Sequence, residues 1–466
     1  MRTLLETAFR SAFPQETLLC LRSPVPLKPA SVARVLAHAT ATESLIYYAP
    51  PTRYKQFTYI GWGVADRIIL FDRDPFVKTQ DAICERLKPM RILDGPDCED
   101  LPLPRFFGGF RYTPGKNGNN AENAVSMFPD SGFVLPRFCL CFRDDKAFLQ
   151  LTLFASELPQ KNLWETELAS FEQALHNDPV KAPIVDLGPI SLTDETTQTE
   201  YCQRVKLALT EIASGSLQKV VLARRKIVSS AKPFELNHIL GFLDNSYSDC
   251  CRFALSVGGF VFLGASPELL ARKTGLDFST EALAGTRPRK QHVRDDEQQT
   301  KELLSDEKER REHRCVQSTI VDSIAPFCAS EPVVDPTVIR SLLNVHHLCT
   351  PIHATLSKGA RLLEIVAALH PTPAVCGLPR PAAARFIAAQ EPFARGLYAA
   401  PIGWLDQDGN GTFWVAIRSA LLSSQKAWLT AGSGIVAGAD PQKEYLETGA
   451  KFAPMLAALG VAHECK

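Results

Sequence analysis

The stretch from residue 431 to residue 452 reads AGSGIVAGADPQKEYLETGAKF, and it decides how the rest of the chain is interpreted. Its early glycines allow backbone amides to approach an anion closely, as they do in carboxylate- and phosphate-binding loops. The Asp-Pro pair at residue 440 is typical of a helix N-cap with proline at the first helical position. In the helix that follows, Glu444, Glu447 and Lys451 are spaced i, i+3 and i+7, so they share one face.

Two carboxylates on such a helix, beside an anion-binding loop, are a suitable pair of ligands for a hard divalent cation. Taken alone, a solvated and salt-bridged helix face is the more common origin of this pattern. A second acidic helix supplies a third carboxylate, because KERREHRCV, from residue 308, places Glu312 just before the helix becomes apolar. Together with Glu444 and Glu447 it would form an all-oxygen site suited to magnesium rather than zinc.

Composition limits what these motifs can mean. The chain has 466 residues, 45% of them hydrophobic, which is enough for a large buried core. Its 51 basic and 51 acidic side chains give a formal net charge of zero, so no global field favours nucleic acid or a membrane surface. Any anion must therefore be bound by a local site.

Cellular location is predicted from the cysteines and from the N-terminus. The 13 cysteines are scattered and lack zinc-site spacing, so we expect them to be reduced and mostly buried. Acidic residues and a proline interrupt residues 1–24, where a signal peptide would need an apolar core, and no apolar run is long enough to span a membrane. A cytoplasmic enzyme is the class we predict. Without a sustained heptad pattern, we expect a monomer.

The chain is predicted to divide within residues 176–198, where prolines and turn formers replace periodicity. We assign residues 1–190 to a scaffold half and residues 191–466 to a catalytic half. Strands are expected in the first half at Phe133 to Phe142 and Ala147 to Ala155.

The second half alternates helical and strand patterns. Apolar residues at helical spacing from Tyr201 to Ile212 predict a helix, and KVVLARRKI, from residue 219, predicts a strand. Residues 300–325 are expected to form a long helical stretch whose core-facing residues are Leu304, Cys315, Ile320 and Ile324, and residues 412–422 to form a strand. The elements predict an α/β (α+β) fold of mixed sheets packed with helices.

Three further residues are candidates for chemistry or binding. Lys219 opens an apolar strand, where desolvation would favour the neutral amine that a general base requires. Glu268 follows a turn proline in GASPELL, where a partly buried carboxyl could stay protonated and act as a general acid. Each is more often a surface residue when taken alone. Arg418 in FWVAIRSALL differs, because an arginine in so apolar a segment requires a buried anionic partner.

Nine blocks, in order over residues 200–455, resemble the chorismate-utilising enzyme family in its isochorismate synthase branch. They are KVVLARRKIV at 219, FLGASPELL at 262, EALAGTRPR at 281, KERREHRCV at 308, VHHLCTPI at 345, LHPTPAVCGLPR at 369, RGLYAAPIGWLD at 395, FWVAIRSALL at 413 and the C-terminal stretch quoted first. The resemblance implies one composite chorismate-binding domain with large, mainly antiparallel sheets.

The resemblance also assigns roles. It implies that Lys219 activates water and that Glu268 protonates the departing hydroxyl of chorismate. It implies that magnesium is held by three glutamates, namely Glu312, Glu444 and Glu447. It places a further set of residues at the substrate: Arg418, Tyr398, Gly432, Ser433, Gly434, Lys451, Ala284, Gly285, Thr286, His347 and Ala374.

Four positions bear on which branch of the family this chain resembles. Amine-transferring relatives typically have glutamine where Lys219 stands, and some have a nucleophilic lysine where Ala284 stands, so the resemblance favours water as the nucleophile. Salicylate synthases, which go on to eliminate pyruvate, tend to have threonine where Ala374 and Val375 stand here. The sequence therefore predicts isochorismate synthesis, with salicylate synthesis or a catalytically silent binding homologue as alternatives. It leaves menaquinone, siderophore and salicylate pathways open.

Overall fold

Helices and strands alternate along the chain in a computed structural model that describes residues 1–42, 44–98, 101–115, 128–176, 187–257, 259–290 and 292–461. The helices are α1 Arg2–Arg10, α2 Pro29–Thr40, α3 Pro75–Leu87, α4 Lys161–His176, α5 Gln198–Ala213, α6 Leu236–Ser246, α7 Val293–Ser305, α8 Glu307–Ile324, α9 Leu362–Leu369, α10 Arg380–Gln390 and α11 Pro441–Ala458. The strands are β1 Leu18–Pro24, β2 Leu45–Ala49, β3 Thr58–Leu70, β4 Arg91–Asp94, β5 Arg105–Phe110, β6 Ser131–Arg143, β7 Lys146–Phe154, β8 Ile190–Asp194, β9 Lys219–Ser230, β10 Cys251–Val257, β11 Phe260–Ser266, β12 Leu269–Thr274, β13 Asp277–Pro288, β14 Val333–Val334, β15 Val338–Ser341, β16 Val345–Thr355, β17 Gly377–Leu378, β18 Pro401–Asp406, β19 Gly411–Val415, β20 Ser419–Leu422 and β21 Lys426–Val436.

The strands form two long antiparallel runs that share β6. One run is β1-β7-β6-β3-β2-β10-β11-β20-β21-β9. The other leaves β6 through β5 and continues β18-β19-β12-β13-β16. Among the described pairings, β1 with β4 is parallel. The predicted fold class, mixed and mainly antiparallel sheets packed with helices, is confirmed.

The N-terminal and C-terminal halves share these sheets. Strand β2 pairs with β10 and β5 pairs with β18, so backbone hydrogen bonds join residues before 190 to residues after it. Residues 177–186 of the predicted linker lie outside the described residues. The division at residue 190 stays a prediction.

The predicted helix over residues 300–325 is wrong in one respect, because two helices, α7 and α8, cover this stretch. Asp306 separates them in an extended conformation, and its carboxylate accepts two backbone N–H groups of the first turn of α8 at 3.0 and 3.2 Å. An aspartate in this position caps a new helix rather than continuing the old one. The break shifts the helical phase, so Leu303 is buried and the predicted core residue Leu304 is 44% exposed.

The strand predicted over residues 412–422 is also interrupted. Strands β19 and β20 are separate, and Arg418 lies between them with φ at +53°, in the left-handed region. That conformation costs roughly 1–2 kcal/mol in a residue with a side chain. The Arg418 carbonyl accepts the Ala265 N–H at 3.1 Å, and Gly264 leaves room for it, since a Cβ there would lie 2.6 Å from the oxygen.

Helix α11 packs on β21 and on α5, and its N-terminus follows the sequence prediction. The Asp440 side chain accepts the backbone N–H groups of Gln442 and Lys443 at 2.8 and 3.0 Å. Phe452 and Met455 are buried beneath the helix. This combination of cap and apolar face fixes where α11 begins and which side it buries.

The remaining sequence expectations concern cysteines and membranes. The described cysteines are free, and most are buried. Within the described ranges, no helix is long and apolar enough to cross a membrane.

We predict that Asp440→Ala destabilises the protein by about 1 kcal/mol, because two N–H groups of α11 lose their acceptor. Urea unfolding followed by tryptophan fluorescence would measure the change. Asp440→Asn is the control, since its amide oxygen can still cap the helix. Equal stability of the alanine variant and the wild type would contradict this role.

Candidate active site

A cavity opens where the start of β9, the middle of β21, and helices α8 and α11 meet. Fifteen of the sixteen residues that the resemblance placed in the site line it. They are Lys219, Glu268, Ala284, Gly285, Thr286, Glu312, His347, Ala374, Tyr398, Arg418, Gly432, Gly434, Glu444, Glu447 and Lys451. Every lining residue lies at position 219 or later, within the half predicted to be catalytic.

Ser433 is the exception. Successive residues of a strand point to opposite faces, so Gly432 and Gly434 border the cavity while Ser433 points away from it. Its hydroxyl is fully buried and shares a 2.8 Å hydrogen bond with the hydroxyl of Tyr201 on α5. The Ser433 side chain therefore anchors β21 to α5.

Lys219 and Glu312 meet across the cavity. The Lys219 ammonium group donates to Glu312 Oε1 at 2.5 Å, and both side chains are largely buried. Gly434 makes room for this pair: a Cβ at that position would lie 3.0 Å from Lys219 Cε and 3.4 Å from Glu312 Oε1. The predicted base and one predicted metal ligand are thus direct partners.

Glu268 is held at the end of β11 with its carboxyl group away from water. Its exposed fraction is 5%, and Thr372 donates to its Oε1 at 3.3 Å. Burial raises the pKa of Glu268 to about 7, against an ordinary value of 4.5. A carboxyl group in this state can donate a proton near neutral pH.

Glu444, Glu447 and Lys451 share one face of α11 and line the cavity, as their spacing in the sequence predicted. Lys451 forms an ion pair with Glu447 at 2.7 Å and donates a hydrogen bond to the Gly432 carbonyl at 2.8 Å, which joins α11 to β21. Glu444 is buried, its Oε2 has no hydrogen-bond partner, and burial beside Glu447 raises its pKa to about 7. Among the described residues, no three acidic, histidine or cysteine side chains gather closely enough to form a ready-made metal site.

Arg418 projects from its left-handed turn into the cavity wall. It is 9% exposed, and burial lowers the pKa of its guanidinium group. The sequence predicted a buried anionic partner, yet no carboxylate of the described chain lies within ion-pair distance. A buried cation without such a partner fits an anionic ligand bound from solution.

His347 is buried at the cavity and neutral, because burial lowers its pKa to about 3. Its Nδ1 lies 3.0 Å from the Thr286 hydroxyl and 3.2 Å from the Gly285 carbonyl. Its Nε2 is buried and has no hydrogen-bond partner among the described residues. This nitrogen is therefore free to form a hydrogen bond at the cavity wall.

The sequence reasoning missed other lining residues, of which Glu309 is the most informative. Its Oε2 accepts the backbone N–H of Thr286 at 3.1 Å, and burial beside Glu312 raises its pKa. Glu309 and Glu312 stand i, i+3 on α8, a spacing that indicates a shared face. Lys308, next to Glu309, lies at the exposed rim of the cavity.

Comparison with known proteins places these residues in a family. The family model described as "Chorismate binding enzyme" matches residues 6–460. The chain belongs to this family.

Several proteins similar to this chorismate-binding enzyme are named for the reaction that they catalyse. It is 40% identical over 421 residues to the salicylate biosynthesis isochorismate synthase of Pseudomonas aeruginosa, covering 89% of this chain and 84% of the relative. It is 33% identical over 358 residues to isochorismate synthase MenF of Bacillus subtilis, covering 77% and 75%. The solved structure of MenF, the menaquinone-specific isochorismate synthase from Escherichia coli, matches with a TM-score of 0.80 at 28% identity, covering 98% and 99%.

We predict that Glu268→Gln reduces the pH dependence of the stability of this chorismate-binding enzyme. The folded-state pKa of Glu268 lies above its ordinary value, so the folded protein holds this proton more tightly than the unfolded chain does. The contribution of Glu268 to the free energy of unfolding is therefore complete below about pH 4.5 and is lost as the pH rises through about 7. Glutamine is neutral at every pH, so the free energy of unfolding of the variant should fall by up to about 3 kcal/mol less than that of the wild type over this pH range. Urea unfolding at several pH values would measure it.

The exposed Glu6 of α1 provides the control, since Glu6→Gln should keep the wild-type profile. Glu444 titrates in the same range and accounts for the dependence that remains. Parallel stability profiles for Glu268→Gln and the wild type would show that Glu268 is not the titrating group.

Proposed function

We propose that this protein is an isochorismate synthase, which converts chorismate to isochorismate. One observation carries the proposal: a lysine and a glutamate, Lys219 and Glu268, are both more than nine-tenths buried and line the same cavity. Three similar proteins are named isochorismate synthases, which supports the same reaction.

Glu268 is the proposed general acid. Hydroxide is a poor leaving group, so the 4-hydroxyl of chorismate must gain a proton as its bond to the ring breaks. The raised pKa of Glu268 keeps that proton available near neutral pH. Thr372 orients the carboxyl group by donating to Oε1.

Lys219 is the proposed general base. The ion pair with Glu312 favours the charged lysine, so Lys219 must first release its ammonium proton to solvent. Water then adds to the other end of the ring diene, and its proton passes to the lysine amine as the new carbon–oxygen bond forms. One hydroxyl is gained and one is lost as water, so the reaction is an isomerisation. Glu312 holds the lysine side chain at the cavity wall through its 2.5 Å contact.

Substrate carboxylates have cationic and backbone partners in the cavity. Arg418 is the proposed ligand of the enolpyruvyl carboxylate, supported by its burial without a carboxylate partner in the part of the chain that the structure describes. The backbone around Gly432 and Gly434, with Tyr398 and Lys451 nearby, borders the same space. His347 Nε2 is available to form a hydrogen bond with a substrate hydroxyl.

Magnesium is the proposed cofactor, and the donor chemistry of three residues that line the cavity suits it. Glu312, Glu444 and Glu447 all line the cavity and offer only oxygen donors, as magnesium prefers. The unpartnered, buried Oε2 of Glu444 is an acceptor that a cation would satisfy. When bound, the ion would neutralise the ring carboxylate of chorismate and fix the ring between acid and base.

The proposed nucleophile and the proposed product rest on Lys219 together with three further positions. Lys219 and Ala284 favour water over ammonia, as the sequence resemblance implies. Ala374 and Val375 line the cavity with no side-chain hydroxyl. We therefore propose that isochorismate leaves intact rather than losing pyruvate.

We predict that purified protein with chorismate and magnesium forms isochorismate, and that chelation of the metal abolishes turnover. Chromatography of the products would measure isochorismate, and coupled lactate dehydrogenase would measure pyruvate. Turnover without pyruvate supports the synthase. Pyruvate well above the uncatalysed background would make the protein a salicylate synthase, and no conversion would make it a silent homologue.

We predict that Lys219→Gln lowers kcat by about 100- to 10,000-fold, the usual contribution of a general base. Glutamine can still donate to Glu312, so the cavity wall keeps its contact while the basic amine is lost. Steady-state kinetics, with circular dichroism to verify folding, would measure this. Lys206→Ala, at an exposed position on α5, is the control. Turnover near the wild-type rate in Lys219→Gln would exclude Lys219 as the base.

A further inference from the structure

Arg224 lies behind the cavity and contributes nothing to its lining, yet it touches α11 at several points. Its side chain is 1% exposed. The guanidinium group donates through Nε to Thr448 Oγ1 at 2.6 Å and through Nη1 to Asp194 on β8 at 2.9 Å. It also lies over the rings of Tyr445 and Phe452, with 4.0 and 4.9 Å from Cζ to the ring centroids.

The residues of α11 that Arg224 contacts form one stripe. Tyr445, Thr448 and Phe452 are spaced i, i+3 and i+7, so they lie on one face of the helix. The cavity face of α11 has the same spacing one residue earlier, at Glu444, Glu447 and Lys451. Consecutive helical residues are rotated by about 100°, so fixing the first face fixes where the second one points.

A buried arginine is a costly way to pack a helix, because desolvation of its charge must be offset by well-placed partners. On α11 those partners are the Thr448 hydroxyl and the rings of Tyr445 and Phe452, and rotation of α11 by a single residue would break all three contacts. Asp194 holds the guanidinium group from β8, so Arg224 itself stays fixed. Apolar packing would tolerate such a rotation better, because dispersion contacts are not directional. Arg224 therefore specifies one rotational setting of α11.

We propose that Arg224 is a positioning residue that sets the rotation of α11, so that Glu444 and Glu447 face the cavity as metal ligands. This inference rests on the proposed function, since it takes these glutamates to bind magnesium. Arg224 acts through Thr448 and the two rings, and it contacts neither substrate nor ion.

Calorimetric titration of the full chain with magnesium alone tests the proposal. Arg224→Lys keeps the charge but cannot donate to Thr448 and Asp194 as a planar fork. We expect its magnesium affinity to fall by roughly 10- to 100-fold, the usual effect of disturbing the residues that orient metal ligands. At saturating magnesium, kcat should stay within about threefold of the wild type, because the acid and base are untouched.

A second variant keeps the test decisive if Arg224→Lys folds poorly. Thr448→Val conserves side-chain shape and removes the oxygen that accepts from Arg224, so its magnesium affinity should fall in the same direction. Arg225→Lys is the matched control. Arg225 is equally buried and follows Arg224 on β9, but it donates to the Ala394 carbonyl.

The outcomes separate this proposal from the proposed function. If the wild type binds no magnesium, the metal of the proposed function is wrong. If the wild type binds magnesium and folded Arg224→Lys and Thr448→Val bind it equally well, Arg224 does not position the ligands. A loss of affinity in Arg225→Lys as large as in Arg224→Lys would likewise overturn the proposal, since general destabilisation would then explain both.

Discussion

The antiparallel pairing of β9 with β21 is the interaction on which the rest of the site depends. It runs over eleven residue pairs, from Lys219 opposite Val436 to Ser229 opposite Lys426. Because side chains alternate along a strand, a shift of one residue would turn the cavity-facing glycines of β21 away and bring Ser433 in. The same register sets Arg224 opposite Ala431, on the side where α11 packs.

Ion pairs within the cavity supply counter-charges for four of its nine charged lining residues. Lys219 pairs with Glu312, and Lys451 pairs with Glu447. The carboxyl groups without a lysine partner, Glu268, Glu309 and Glu444, have a raised pKa instead. Burial and pairing thus give glutamates of one cavity different tendencies to hold a proton, without any difference in residue type.

Much of the fold, and most of the residues that line the cavity, could be predicted from the sequence, because motifs and periodicity indicate which residues are buried and which share a face. Helix α11, its Asp440 cap and its acidic face followed directly. The interrupted strand at Arg418 could not be foreseen, since its left-handed backbone depends on Gly264, which is distant in sequence. The contact between Lys219 and Glu312 joins residues 93 positions apart, and only the folded sheet brings them together.

Charge balance gives the proposed function a further physical basis. The described lining carries five carboxyl groups and four cationic side chains, namely Glu268, Glu309, Glu312, Glu444 and Glu447 against Lys219, Lys308, Arg418 and Lys451. A substrate with two carboxylates would add two negative charges to a space already rich in carboxyl groups, at a large cost in a poorly solvated cavity. Under the proposed function, magnesium already bound to the glutamates would supply two positive charges and make that addition neutral. A nearly balanced cavity of this kind would bind a dianion more readily once the cation is in place, which gives a chain without net charge a local means of binding a dianionic substrate.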